Sequence, residues 1–340
     1  TTHVLNLIHN VLNSKMDVKM QQRFVPALGV TSSYTVNFPV TIASPSTSET
    51  SIISSQFNFN GEVSFFRNSY NSTKIEIVNS TLKEKRKKYS NFLFNKLQRK
   101  EGLLERDCDK MVRDDRVIWG SCMVACGDAD AMVTGNSRRY GQSLEKVKKV
   151  IDPRPGEIMF GMNMIVNKGK TVFIADTSVH EYPNSEQLSE IAISASRVAR
   201  LFGFEPKVAF LSHSTFGQPI TSRTKHIREA VEILKKKKVD FKFDGDMQPD
   251  VALSDEYTDL YPFSEIVGKA NILIMPGQHS AAISYKIMKT LGGAKVIGPL
   301  LIGLGQAIEI APLRSSTSDI LNLASVAAYS SGVINYKKPN

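Results

Sequence analysis

The feature that most constrains this chain is an alternation of helix-period and strand-like apolar runs that begins after Lys74. Its clearest member runs from Ser185 to Phe202. Leu188, Ile191, Ala192, Ala195, Val198, Ala199 and Phe202 recur at spacings of three and four, which puts them on one face of a helix. Asn184 is placed to cap it, Gln187 stands at the third helical position to return the bond, and Gly203 ends it. Val208 to Leu211 follows at once and reads as a buried parallel strand. Downstream, Ile272 to Met275 predicts a strand, Ala281 to Leu291 a helix, and Lys295 to Ile302 another strand. Asp319 to Tyr329 predicts a final helix, capped by Thr317 or Ser318. The runs Ile158 to Val166 and Thr171 to Ala175 flank Asn167-Lys168-Gly169-Lys170, the pattern of a hairpin.

The sum is an α/β chain with mixed, mostly parallel sheets and flanking helices, in two lobes with a ligand cleft between them. Ligands of such sheets sit beyond the carboxyl ends of the strands. The informative loops are therefore 135–140, 176–184, 212–217, 276–280 and 303–317. Residues 1–72 are a different matter. From Gly29 to Ser72 the chain is rich in Ser, Thr and Asn and carries no motif, so 1–72 is left as an unassigned polar N-terminal segment of weak strands and loops. The domain proper is 73–333.

Composition narrows the function classes. With 41% hydrophobic and 22% charged residues the chain is an ordinary globular one, and wholesale disorder is excluded. No run approaches the roughly 18 apolar residues needed to span a bilayer. Thr1 to Leu12 has no basic region ahead of an apolar core, so it is not read as a secretory signal, and the missing initiator Met points to a cut or incomplete chain. Cys108, Cys122 and Cys126 are too few for a disulfide scaffold and read as buried structural thiols of a reducing cytosol, not as a zinc site. The formal charge of +10 is concentrated in Lys83 to Lys88 and Lys235 to Lys238. Neither run is interleaved with aromatics that could stack on bases, which argues against nucleic acid. The second run closes a helix-like stretch from Ser222, where lysines complement the helix dipole, and a site for an anionic small ligand stays open beside that reading.

Each candidate motif has a plainer reading beside it. Gly303-Leu304-Gly305-Gln306-Ala307 lacks the sixth-position Gly or Ala of a dinucleotide fingerprint, because Ile308 stands there. Ser212-His213-Ser214 ends a strand, and neighbours on an extended chain point to opposite faces, so a catalytic triad from these residues is disfavoured. Binding of an anion or thioester by the hydroxyls and imidazole, or loop hydrogen bonding alone, both fit. Arg138-Arg139-Tyr140 follows a strand, Ala131 to Thr134, and suits phosphate or carboxylate recognition or a salt bridge on the rim. Asp244-Gly245-Asp246 reads as a turn more readily than as a metal site.

Several segments carry a resemblance: Gly127 to Gly135 (GDADAMVTG), Asp176 to His180 (DTSVH), Ser185 to Ile191, Glu205 to Ser214, Asp244 to Leu253 (DGDMQPDVAL) and Gly298-Pro299-Leu300. With them, Lys74 to Ser330 resembles the phosphate acetyltransferase/butyryltransferase family. Within it, the chain is similar to the C-terminal phosphotransacetylase-like domain of large bacterial NADP-dependent malic enzymes, a choice supported by Ser212-His213-Ser214-Thr215-Phe216-Gly217 and by Arg139-Tyr140. The resemblance implies a ligand cleft for acetyl-CoA or a related thioester, formed by Arg314, His213, Ser214, Arg139 and Tyr140. Asp319 matches the family's aspartate thought to act on the CoA thiol. The family's phosphate-holding arginines fall on Gln98, beside Arg99, and on Glu145, while its Ser-Arg pair falls on Pro312-Leu313, one place before Arg314. A carboxylate at Glu145 opposes a di-anion, so the implied transferase chemistry is lost or severely weakened and the implied role is regulatory, with an active phosphate acetyltransferase and a ligand-free oligomerisation domain as the alternatives. The family's opening Pro-Glu-Gly stretch has no counterpart in 1–72, so the first lobe is expected to be divergent or incomplete. The resemblance further implies a cytoplasmic homo-oligomer with no cofactor in this chain, no nucleic acid and no membrane partner. NADP and a divalent metal would belong only to a missing malic-enzyme domain.

Overall fold

Apolar spacing sets the first helices. A computed structural model describes residues 83–336. They divide into a helical unit, residues 83–152, 306–308 and 313–336, and a sheet unit, residues 153–305 and 309–312.

In the helical unit, α1 (Lys83–Glu101) buries Tyr89, Leu93 and Leu97, each four residues from the next, along one stripe. The helix α2 (Glu105–Asp114) buries Cys108 and Val112 with the same spacing. Asp115 then caps α3 (Arg116–Ala125), accepting the Val117 and Ile118 N–H groups. Trp119 of α3 meets Tyr89 edge to face at 4.9 Å between ring centroids. The strand β1 (Ala131–Gly135) follows, one residue longer than its apolar run, and α4 (Tyr140–Val150) buries Leu144, Val147 and Val150.

The sheet unit opens on the expected hairpin, β2 (Phe160–Asn167) and β3 (Lys170–Ala175), with Asn167 opposite Lys170. Lys168 and Gly169 both take positive φ, 47° and 80°, the backbone that a two-residue hairpin turn demands. The helix α5 (Ser185–Leu201) has the predicted capping box of Asn184 and Gln187 and stops before Gly203, at φ 84°. It leads to β4 (Lys207–Leu211), α6 (Ser222–Lys237), β5 (Lys242–Met247), the short α7 (Pro249–Leu253), β6 (Ile272–Ile274), α8 (Gln278–Thr290) and β7 (Lys295–Ile302). The six strands lie in the order β5-β4-β6-β3-β2-β7. The pairs β5-β4, β4-β6 and β6-β3 are parallel, while β2 runs antiparallel to both β3 and β7, so β2 alone opposes the other five. One face of this sheet buries Ile165, Ile174, Ala209, Leu211 and Leu273 together with Val251 and Ala281 from the helices.

The chain then forms β8 (Ala307–Ala311), which begins in the helical unit and pairs with β1, and ends in α9 (Thr317–Tyr336). Two expectations need correction here. The last helix starts at Thr317, and its cap is Ser316, not Thr317 or Ser318, because Ser316 and Asp319 exchange bonds: Asp319 N–H to Ser316 Oγ at 3.1 Å and Ser316 N–H to Asp319 Oδ2 at 3.0 Å. Asp244-Gly245-Asp246 is no turn but part of β5. Gly245 takes φ 148° with its α-carbon against Phe210, where a Cβ would lie 2.7 Å from the Phe210 carbonyl oxygen, so glycine here serves close strand approach.

Candidate functional site

The carboxyl edge of the six-stranded sheet carries two buried carboxylates, each set by a neighbouring loop. At the ends of β4 and β5, Ser214 donates its hydroxyl hydrogen to Asp246 Oδ2, and Ser212 Oγ lies 2.9 Å from Ser214 Oγ. Ser214 and Asp246 are both 0% exposed, and Asp246 Oδ1 is buried with no hydrogen-bond partner among the described residues. Ser212 N–H bonds the Met247 carbonyl at 2.9 Å and Phe216 N–H the Asp246 carbonyl at 2.7 Å, so the backbone clamps the two strand ends together. Ser214, which the resemblance puts with His213 in a ligand cleft, is therefore buried with its hydroxyl on Asp246. His213, its neighbour, is exposed. Adjacent residues at a strand end point to opposite sides, and the buried acceptor fixes which one turns in.

The second carboxylate, Asp176, follows β3. It accepts backbone N–H groups from Gly161, Ser178, Val179 and His180 and lies 2.8 Å from His180 Nδ1. Thr177, also buried, donates its hydroxyl to Asn163 Oδ1 at 2.6 Å. A third buried acid, Glu309 of β8, accepts the Leu301 N–H at 2.9 Å, and burial pushes its carboxyl well above the usual carboxylate range.

In the helical unit, the loops leaving β1 and β8 are joined by one bond, Arg314 N–H to the Asn136 carbonyl at 3.1 Å. The structure thereby brings Arg139, Tyr140, Arg314 and Asp319 to one set of loops, where α4 and α9 begin. Arg139 and Arg314 are exposed, whereas Tyr140 and Asp319 are half-buried. Arg314 takes φ 59°, a left-handed turn conformation. Of the tandem arginines, Arg138 is the one committed to a salt bridge, 3.0 Å from Asp115 Oδ2, where the guanidinium and backbone N–H groups hold the Asp115 carboxyl below its ordinary value against burial. Glu145 is exposed on the second turn of α4, and Gln98 and Arg99 are exposed on α1. His213 and Ser214 belong to the sheet unit, the other four candidates to the helical unit.

Four residues of the basic runs pair with acids. Arg86 pairs with Asp109 and Lys88 with Asp128 at 2.9 Å. Lys235 pairs with Glu232 at 2.7 Å, Lys237 with Glu190, and Lys238 forms the left-handed end of α6. All three cysteines are free, and burial raises each thiol above its ordinary range. Among the described residues no three His, Cys, Asp or Glu side chains are grouped to hold a metal ion, and no helix is long and apolar enough to cross a membrane.

Sequence reasoning missed Asp176, Asp246 and Glu309 as individual residues. For Asp176 a signal was present, since an Asp-Thr-Ser run just past a strand is where a carboxylate collects loop N–H groups. Asp246 and Glu309 depend on partners brought in by other strands and left no local trace.

Comparison with known proteins is consistent with this architecture. The chain matches the family model described as Phosphate acetyl/butaryl transferase over residues 40–328. It is 46% identical over 258 residues to an NADP-dependent malic enzyme of Rhizobium meliloti (strain 1021), a match covering 76% of this chain and 34% of that protein. It is 32% identical over 243 residues to a phosphate acetyltransferase of Clostridium acetobutylicum, covering 68% of this chain and 72% of that one. A phosphotransacetylase structure from Streptococcus pyogenes aligns with a TM-score of 0.71 at 29% identity, covering 79% of this chain and 83% of that one. The chain thus spans about a third of the length of the malic enzymes it matches.

Proposed function

Because the chain belongs to the Phosphate acetyl/butaryl transferase family, we propose that it is the phosphotransacetylase-like part of an NADP-dependent malic enzyme, over residues 73–333, and that it binds acetyl-CoA or a related thioester as a regulatory module. In this reading the malate-oxidising centre, with NADP and a divalent metal, lies in another part of that enzyme, and the whole works as a cytoplasmic homo-oligomer. Arg139 and Arg314 would meet the CoA phosphates, with Tyr140 on the same loops. The exposed guanidiniums of Arg139 and Arg314, on loops tied by the Arg314–Asn136 bond, support that assignment.

The observation that carries the loss of transferase chemistry is Glu145. At the position where family resemblance expects a phosphate-holding arginine, α4 presents an exposed carboxylate, which repels a phosphate di-anion. Leu313, where the resemblance expects another arginine, is 53% exposed and carries no charge. A second reading, an active phosphate acetyltransferase, draws on Asp319 and on the one-place offset of Arg314. Isothermal titration with acetyl-CoA tests the binding role: saturable heat is expected, and none at millimolar ligand removes it.

A further inference from the structure

We propose that His180 is a proton-accepting site on the carboxyl edge of the sheet unit, whose Nε2 takes a proton or hydrogen bond from a ligand group carrying S–H, O–H or N–H. The side chain of Asp176 is 0% exposed. Its Oδ1 accepts the N–H groups of Gly161, Ser178 and Val179 at 2.8, 2.8 and 3.1 Å, and its Oδ2 accepts the His180 N–H at 2.8 Å. Four backbone donors leave the carboxylate no freedom to turn. The neighbouring strand must come close for this, and Gly161 permits it, since a Cβ there would lie 1.9 Å from Ser178 Oγ.

A carboxylate so held offers only lone pairs to His180 Nδ1, 2.8 Å from Oδ2, so Nδ1 is the nitrogen that carries hydrogen. In the neutral ring the lone pair then sits on Nε2. Nε2 has no hydrogen-bond partner among the described residues, and the side chain keeps 20% exposure. Stiffening the loop needs only the four backbone bonds. The fifth, to the ring, orients an imidazole, which is how a buried acid presets a base. The position fits the chemistry. His180 lies five residues past the end of β3, on the same strand ends as Ser212 and His213 of β4, where open α/β sheets take their ligands. This site stands independently of whether acetyl-CoA is the ligand.

Two measurements on the whole chain test it. Nitrogen-15 spectra of the histidine rings report which nitrogen is protonated in neutral His180, and mass spectrometry follows its carbethoxylation by diethyl pyrocarbonate, which an unprotonated ring nitrogen attacks. The expected result is a ring proton on Nδ1 and a His180 reaction rate that falls about tenfold or more in Asp176→Asn, because an amide donor forces the proton onto Nε2. His279, 83% exposed, should react at an unchanged rate. A wild-type ring proton on Nε2, or an unaltered His180 rate in a folded Asp176→Asn chain, would overturn the assignment. Should that variant not fold, the wild-type ring spectrum decides alone.

Discussion

Replacing Ser214 by alanine isolates one buried interaction of the sheet unit and gives it a size. The Ser214 hydroxyl donates to Asp246, whose other oxygen has no partner among the described residues. Alanine fills nearly the same space, so no significant cavity is made and the effect is almost purely polar. A hydrogen bond to a charged group contributes about 1.5–3 kcal/mol, and a buried carboxylate stripped of its partner costs about 3–5 kcal/mol. Ser214→Ala is therefore expected to lose about 2–4 kcal/mol. With an m-value of about 2 kcal/mol/M, the urea midpoint falls by about 1–2 M at unchanged slope. Ser212→Ala removes only neutral bonds, to Ser214 Oγ at 2.9 Å and from the Ser214 N–H at 3.3 Å, and should cost about 1 kcal/mol. Adding Asp246→Asn to Ser214→Ala should restore part of the loss, since a buried amide is cheaper than a buried carboxylate. Urea unfolding followed by circular dichroism measures all four chains. A Ser214→Ala loss under about 0.5 kcal/mol, or one no larger than that of Ser212→Ala, would refute the reasoning.

Three further outcomes follow from the geometry. Gly303→Ala places a methyl 2.1 Å from the Ile158 carbonyl oxygen at a residue with φ 86°, so thermal unfolding should report a loss of about 3 kcal/mol or more. Burial raises the folded pKa of Glu309 above the unfolded one; stability is full below the unfolded pKa, near 4.3, and falls as pH rises toward the folded value, by at most about 1.4 kcal/mol per pH unit. Glu309→Gln should flatten that decline, and denaturant melts between pH 4 and 8 check it. Native-state alkylation with iodoacetamide should reach the half-buried Cys126 first, and Cys108 and Cys122 only after denaturation; mass spectrometry of the labelled peptides shows the order.

What the sequence disclosed, and what it did not, follows the range of the interactions. Helix α5 was legible with its cap because Asn184, Gln187 and the apolar stripe lie within one segment. The hairpin at Lys168 and Gly169 was legible for the same reason. The cap of α9 lies one or two residues before the expected Thr317 or Ser318, since Ser316, Thr317 and Ser318 are chemically alike and only the reciprocal bond with Asp319 distinguishes them. Asp246 reads locally as a turn residue because its partner, Ser214, lies 32 positions away and β4 must already be in place to supply it. Glu309 was overlooked inside an apolar run because a neutral acid in a strand leaves the same periodicity as any buried residue. Arg139, Tyr140, Arg314 and Asp319 were named together from family likeness, and the Arg314–Asn136 bond gives the loops that bear them a physical junction. The reading of residues 1–72 as weak strands and loops lies outside the described residues.

The most direct test of the central claim is the rate of acetyl-CoA formation from acetyl phosphate and coenzyme A by the purified chain, under conditions where acetyl-CoA binding is saturable. The predicted result is no turnover above the uncatalysed rate. Sustained turnover that Asp319→Asn abolishes would contradict it and make the chain a working transferase.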